Sequence, residues 1–390
     1  MFTLKLKKNE DRRVRAGHCW IFSNEIAAVE GAGEAGGPAE VFSASGRCLG
    51  TGTYNRASLI ACRLFSRQRT SLDRAFFEAR VRAALEFRQK LLPGESCYRL
   101  IFSEGDGLPG LVVDRFGDAL VLQVSTAGAD RLLSTLLEAL EAVIAPRVVV
   151  LRNDSPSRAL EGLDSRVEVV LGALDGPIDA ICDGLTYRVD LLGGQKTGFY
   201  FDQRENRRAV APLAAGARVL DLFCYTGSWA LEAARAGAAN VVAVDSSGPA
   251  LALAAQNAKL NGFEDRVAFR ELDVTAFLDE EAAKGHQYDL VLVDPPPYAR
   301  SKKDLIEALV RYERLNRKAL AVLATGGYLV SSSCSYHVGA DDFARALSRA
   351  ASTGGCGLRL VEWRGQARDH PGVLAMPETR YLKCAILQKV

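Results

Sequence analysis

Apolar and polar positions along the chain follow three successive rhythms. Phe2 to Leu6 alternates with period two, as a half-buried strand does. Residues 39–42 and 59–65 are read as further strands, with residues 31–38 as a hairpin-type loop and a short helix near residues 11–16. Residues 72–92 switch to a helical period and carry many arginines on one side. A strand at 98–102 follows, then a turn at 105–110, a paired hairpin (111–114 with 119–124), a helix at 129–144 and a strand at 148–151. From about residue 190 the rhythm changes again. Strands are expected at 218–222, 240–245, 267–271, 288–294 and 327–332, and helices at 229–235, at 248–261 and over a long stretch ending at 320. Strands that alternate with helices predict a doubly wound parallel sheet. The chain therefore reads as a small β-rich domain (1–70), a central α+β domain (72–187) and an α/β domain (190–390).

Composition narrows the class. Of 390 residues, 48% are hydrophobic and 25% charged, which suits globular domains and not disorder. Net charge is only +2, but residues 1–70 hold 11 Lys and Arg against 6 Asp and Glu, leaving the rest at −3. A basic leading domain is a weak pointer to a polyanion, and a solvated charged face explains it as well. The nine cysteines show no C-x-x-C pair, so neither a metal site nor a disulfide framework is expected. With no apolar stretch after the charged N-terminus and no run of bilayer length, the expected location is the cytoplasm, with no membrane partner.

The chemistry gathers at the ends of the predicted strands, where open α/β sheets bind ligands. Asp221-Leu222-Phe223-Cys224-Tyr225-Thr226-Gly227 follows the first strand of the last domain, and Asp245-Ser246 ends the second. Asp273 ends the third and Asp294 the fourth. A dinucleotide site needs G-x-G-x-x-G to seat a pyrophosphate, and this loop has one glycine between bulky aromatics. S-adenosylmethionine has no phosphate, and its cationic groups suit acidic neighbours such as Asp221 and Asp294. Asp245 can accept from both ribose hydroxyls, and Asp273 can meet the adenine amino group. Each acid alone is equally well a helix cap or a loop residue; the four together point to the cofactor.

Asp294-Pro295-Pro296-Pro297-Tyr298 is a stiff turn able to hold a planar base through Pro295, Pro296 and Tyr298. Such a turn also suits methylation of an exocyclic amine. Cys334, in Ser331-Ser332-Ser333-Cys334-Ser335, ends the next strand on the same rim. It is either a small buried residue or a nucleophile toward carbon 6 of a pyrimidine.

Residues 195–207 (QKTGFYFDQRENR), residues 221–227, Asp294-Pro295-Pro296, Ser333-Cys334-Ser335 and Asp369-His370-Pro371 occur in the order seen in the large-subunit ribosomal RNA cytosine-C5 methyltransferases of the RlmI type. Asn153-Asp154-Ser155 with Leu160-Glu161-Gly162, and residues 17–23 (GHCWIFS), resemble that family's middle and leading segments. The resemblance implies an RNA-binding PUA domain, a central α+β domain and a class I, Rossmann-like methyltransferase domain. It implies methylation of a cytosine carbon 5 in 23S ribosomal RNA or a large-subunit precursor, with Cys334 as nucleophile. Position 297 is proline where many RNA cytosine methyltransferases carry a second cysteine, so Asp294 is the candidate for removing the carbon 5 proton. Phe201 and Gln203 join the expected cofactor residues, and Lys7 and Arg15 the expected RNA contacts. Two other readings stay open: a base-nitrogen methyltransferase with Cys334 as bystander, and a non-catalytic RNA-binding or assembly protein. Monomer and homodimer are equally compatible with the sequence.

Overall fold

The computed structural model describes residues 1–390 and divides into two compact units. The first comprises residues 1–183, 189–201 and 368–379; the second comprises 184–188, 202–367 and 380–390.

In the first unit, β1 (Phe2–Leu6), β2 (Trp20–Ile21), β3 (Ile26–Glu30), β4 (Gly37–Phe42), β5 (Cys48–Tyr54) and β6 (Cys62–Ser66) form a six-stranded sheet ordered β2-β6-β5-β4-β1-β3. The alternation that predicts β1 works because Phe2, Leu4 and Leu6 all enter this sheet's core. Residues 31–38 do not close a hairpin. Strand β3 pairs with β1, and β4 with β1 and β5, so the loop crosses between non-neighbours. The strand expected from residue 59 starts only at Cys62, since Leu59 is exposed in a turn.

A second sheet holds β7 (Cys97–Phe102), β8 (Leu111–Phe116), β9 (Ala119–Val124), β10 (Val148–Asn153) and β11 (Arg166–Leu171), ordered β11-β10-β9-β8-β7. Helices Arg74–Leu91 and Leu133–Ile144 pack on it. The helix expected at 129–144 is two, Ala127–Arg131 and Leu133–Ile144, with the break at Leu132. Arg88 does not lie on the helix's wet side; it is fully buried. It pairs with Asp106 and donates to the carbonyls of Arg99 (2.9 Å) and Asp369 (2.8 Å). The Leu160-Glu161-Gly162 motif has a structural account. The buried Glu161 carboxylate accepts from Asn55 Nδ2, Ser58 Oγ, Arg63 Nη1 and the Ala127 amide, fastening the first sheet to the second. These donors and the Arg63 charge hold it below the usual carboxylate range against the cost of burial.

Two short strands, β12 (Ile178–Cys182) and β13 (Leu185–Val189), lie where the chain passes to the second unit. There β14 (Arg218–Leu222), β15 (Asn240–Asp245), β16 (Val267–Glu271), β17 (Tyr288–Val293), β18 (Leu323–Ser333), β19 (Leu358–Arg364) and β20 (Lys383–Lys389) form one sheet, ordered β16-β15-β14-β17-β18-β20-β19. The first five are parallel, and β20 runs antiparallel to both neighbours. Apolar clusters cover both faces, as a parallel sheet requires. The order reverses between β14 and β17. Their carboxyl ends lie side by side, Leu222 opposite Val293, at the switch point where such sheets bind ligands. No helix is long and apolar enough to cross a membrane.

Candidate active site

Asp221 is fully buried next to the end of β14. Its Oδ2 accepts from the Ala230 amide (3.0 Å) in the first turn of helix Ser228–Arg235, while Oδ1 has no hydrogen-bond partner. Burial, then the negative charges of Asp294 and Asp245, push its carboxyl well above the usual range.

The loop after β14 is tightly wound. Phe223 (φ 63°), Tyr225 (φ 49°) and Gly227 (φ 84°) all occupy the left-handed region. For two aromatic residues this costs roughly 1–3 kcal/mol each, a strain typical of ligand-binding loops. The surroundings impose it. Asp245 accepts from the Tyr225 amide (2.9 Å) through one oxygen and from the Ser247 amide (2.9 Å) through the other. Cys224 N donates to the Val244 carbonyl, and Asn257 Nδ2 to that of Thr226. Asp245 thus braces the loop with part of its acceptor capacity and stays half-exposed, with Ser246 exposed beside it. Asp273 caps helix Val274–Ala283, accepting from Thr275 and Ala276 amides, and is exposed.

Asp294 stands across the switch point from Asp221. Gln203 Nε2 donates to one oxygen (3.0 Å) and Trp229 Nε1 to the other (3.2 Å). Burial and neighbouring Asp202 still raise its carboxyl to about 6, against these two bonds and the Arg207 charge. Trp229 gives no signal in the sequence, because its position on a helical period reads only as core.

The segment after Asp294 carries Pro295 buried and Pro296 and Pro297 exposed. The Tyr298 ring packs on Tyr312 (centroids 4.9 Å apart), and the Arg311 guanidinium lies over it at 5.9 Å. Cys334, half-buried after β18, has its Sγ 3.8 Å from the Pro295 carbonyl. Ser335 Oγ accepts from the Ala299 amide (3.2 Å) and pairs with the Tyr312 hydroxyl (3.2 Å). The proline turn and the cysteine turn are therefore stapled together.

The second unit brings Asp221, Phe223, Tyr225, Thr226, Gly227, Asp245, Gln203 and Asp294 to one end of its sheet, with Pro295, Pro296, Tyr298 and Cys334 on the same rim. Phe201, Lys7 and Arg15 belong to the first unit. Phe201 is buried against Phe116 and Phe199. Lys7 Nζ donates to the Asn24 carbonyl (2.7 Å), and Arg15 is exposed beside Asp11.

The rim suits S-adenosylmethionine. It offers buried and half-buried carboxylates, one with an unused oxygen, and no glycine-lined cradle for phosphate. The S-adenosylmethionine-dependent methyltransferase family model matches residues 145–376, and a PUA-like domain model matches residues 4–67. The ribosomal RNA large subunit methyltransferase I of Vibrio cholerae is 38% identical over 98% of each chain, and that of Shewanella denitrificans is 38% identical over 97% of each. The chain belongs to this family. Its fold is also that of the crystal structure of SMU.776 complexed with SAH, with a TM-score of 0.86, 20% identity and full coverage of both chains. Membership in the large subunit methyltransferase I family makes the rim around Asp221 and Asp294 part of an S-adenosylmethionine-dependent methyltransferase with a PUA-like N-terminal domain.

Proposed function

We propose that the protein methylates carbon 5 of a cytosine in 23S ribosomal RNA, or in a large-subunit precursor, through a covalent adduct with Cys334. The observation that carries this reading is the Cys334 sulfur 3.8 Å from the carbonyl of Pro295, directly beside Asp294. A base held against Pro295, Pro296 and Tyr298 would sit next to that thiol. The relatives' names supply the large-subunit RNA, and the PUA-like domain, with Lys7 and Arg15 exposed, is a fitting platform for it. The three-part division at about residues 70 and 190 accompanies this proposal.

Carbon 5 of cytosine is a poor nucleophile. The thiolate adds to carbon 6, and the ring electrons shift to make carbon 5 an enamine. S-adenosylmethionine supplies an electrophilic methyl group on a cationic sulfur. Carbon 5 takes the methyl as the sulfur–methyl bond breaks and neutral S-adenosylhomocysteine leaves; it then loses its proton, and the electron pair expels the thiolate. Asp294 is the proposed acceptor of that proton, since position 297 is proline and offers no thiol. Asp221, Phe223, Tyr225, Thr226, Gly227, Asp245, Ser246, Asp273 and Gln203 are the proposed cofactor residues. The target base must leave its stack, so an unpaired loop is a better substrate than a closed duplex.

The direct test incubates the protein with labelled S-adenosylmethionine and unmodified 23S RNA, then identifies the nucleoside by mass spectrometry. 5-Methylcytidine is expected. A methylated adenosine or guanosine overturns the reading in favour of base-nitrogen transfer at the proline turn.

Cofactor binding should depend on pH. Asp294, raised to about 6, is charged above that pH and neutral below it. The cationic cofactor loses an opposite charge as pH falls, so its Kd should rise about five- to tenfold from pH 7.5 to 5. Calorimetry should show this dependence in the wild type and a flatter one in Asp294→Asn. A flat wild-type profile would remove Asp294 from the cofactor site.

A further inference from the structure

Lys383 lies in the interior beside Cys334, and nothing in the proposed reaction uses it. It opens β20, which runs antiparallel to β18, and pairs with Ser333, one residue before the cysteine. The residue is buried. Its Nζ donates to the carbonyls of Ser335 (2.6 Å) and Tyr381 (2.8 Å). Both acceptors are neutral, and no carboxylate stands within ion-pair distance. A buried ammonium without a counter-charge is costly, and proteins retain such groups where the charge is used.

We propose that Lys383 is a positioning residue for the methyl transfer, clamping the Cys334–Ser335 turn through the Ser335 carbonyl and supplying the cation that faces the Cys334 thiolate. This rests on the reading of Cys334 as nucleophile. Two further titratable groups that face Cys334 are the phenols of Tyr298, from the proline turn, and Tyr312, from helix Leu305–Ala321. Neither carries positive charge, so neither can stabilise a thiolate by charge. Burial lowers the Lys383 ammonium to about 8, and the Cys334 sulfur opposes that fall. The lysine is therefore still charged near neutral pH. Attraction is mutual, so the same cation favours the thiolate, whose proton leaves to solvent.

The test uses the full chain without RNA or cofactor. Peptide-resolved alkylation of Cys334 by iodoacetamide, from pH 6 to 10, reads its thiolate directly. Lys383→Gln keeps donors for the two carbonyls and removes the charge. It should alkylate about tenfold more slowly at pH 7, with its midpoint displaced alkaline by about one unit. Lys383→Met should do the same, while Lys383→Arg, which keeps the charge, stays near wild type. In methylation assays the loss should fall on kcat, leave the KM for RNA unchanged, and diminish as pH rises. A wild-type alkylation profile in folded Lys383→Gln overturns the proposal, as does Lys383→Arg failing like Lys383→Met. If Cys334→Ala retains methylation, the nucleophile reading fails and takes the catalytic meaning of Lys383 with it, whatever the alkylation shows.

Discussion

Cys334→Ala should abolish methyl transfer, lowering kcat by at least on the order of a thousandfold, because the enamine at carbon 5 cannot form without the thiolate. The fold should survive, since alanine fills most of the half-buried position that Cys334 occupies at the end of β18. S-adenosylmethionine affinity should be unchanged, and melting should match the wild type. RNA carrying 5-fluorocytidine supplies a second readout. Fluorine replaces the proton that must leave, so the wild type should be trapped as a covalent protein–RNA species and the alanine variant should not. An active alanine variant with a nitrogen-methylated product would make Cys334 a structural residue and the proline turn the whole of the base site.

The largest expected effect on stability lies elsewhere, at Arg88. Its guanidinium is fully buried and makes a two-pronged pair with Asp106, while the carbonyls of Arg99 and Asp369 take two more of its donors. Removing it leaves the Asp106 carboxylate with the Phe102 amide but no counter-charge, and takes a donor from each of two carbonyls. Arg88→Ala should cost about 3–5 kcal/mol of unfolding free energy, the range for breaking one side of a buried pair. Lysine should not substitute, because a point charge cannot reproduce the planar fork. Arg82, exposed on the same helix, is the control, and its replacement by alanine should stay within about 0.5 kcal/mol. Replacing Arg88 and Asp106 together by Met and Leu should recover much of the loss. Chemical denaturation of these four variants checks all of this, and a mild Arg88→Ala would mean that Asp106 finds water or another donor.

Much of the second unit is legible in its sequence. RVLDL, NVVAVD and YDLVLV are dominated by Val and Leu, as a parallel strand buried on both faces demands. Asp245 and Asp294 stand out because each closes such a run, and Asp221 because it interrupts one just before the aromatic-glycine loop. Strands β11, β19 and β20 are not legible. LRLVEWR and KCAILQK mix charges into apolar runs, and their pairing depends on partners far along the chain. Lys383 is hidden for the same reason. It stands 49 positions after Cys334, and only the antiparallel return of β20 places it beside that turn. The brace that Asp245 gives the Tyr225 amide is equally silent, since an acid after a strand reads the same whether it holds a ligand or its own loop. The crossing of residues 31–38 is missed because glycine-rich loops look alike whether or not the strands they join are neighbours.

The order of strands in the large sheet has a consequence for how the protein is made. Strand β19 touches only β20, yet it precedes β20 in the chain. As a nascent polypeptide leaves the exit tunnel, Leu358–Arg364 emerges with Leu360, Val361 and Trp363 and no neighbour to pair with. Until Lys383–Lys389 follows and slots between β18 and β19, both backbones present unsatisfied edges, the condition that invites wrong partners. Vectorial synthesis thus holds the sheet open at the side next to Cys334 and closes it last. A chain cut short before residue 383 would carry every predicted strand-end acid and the cysteine, but it would be left with an adhesive flank, a natural target for chaperones and proteases.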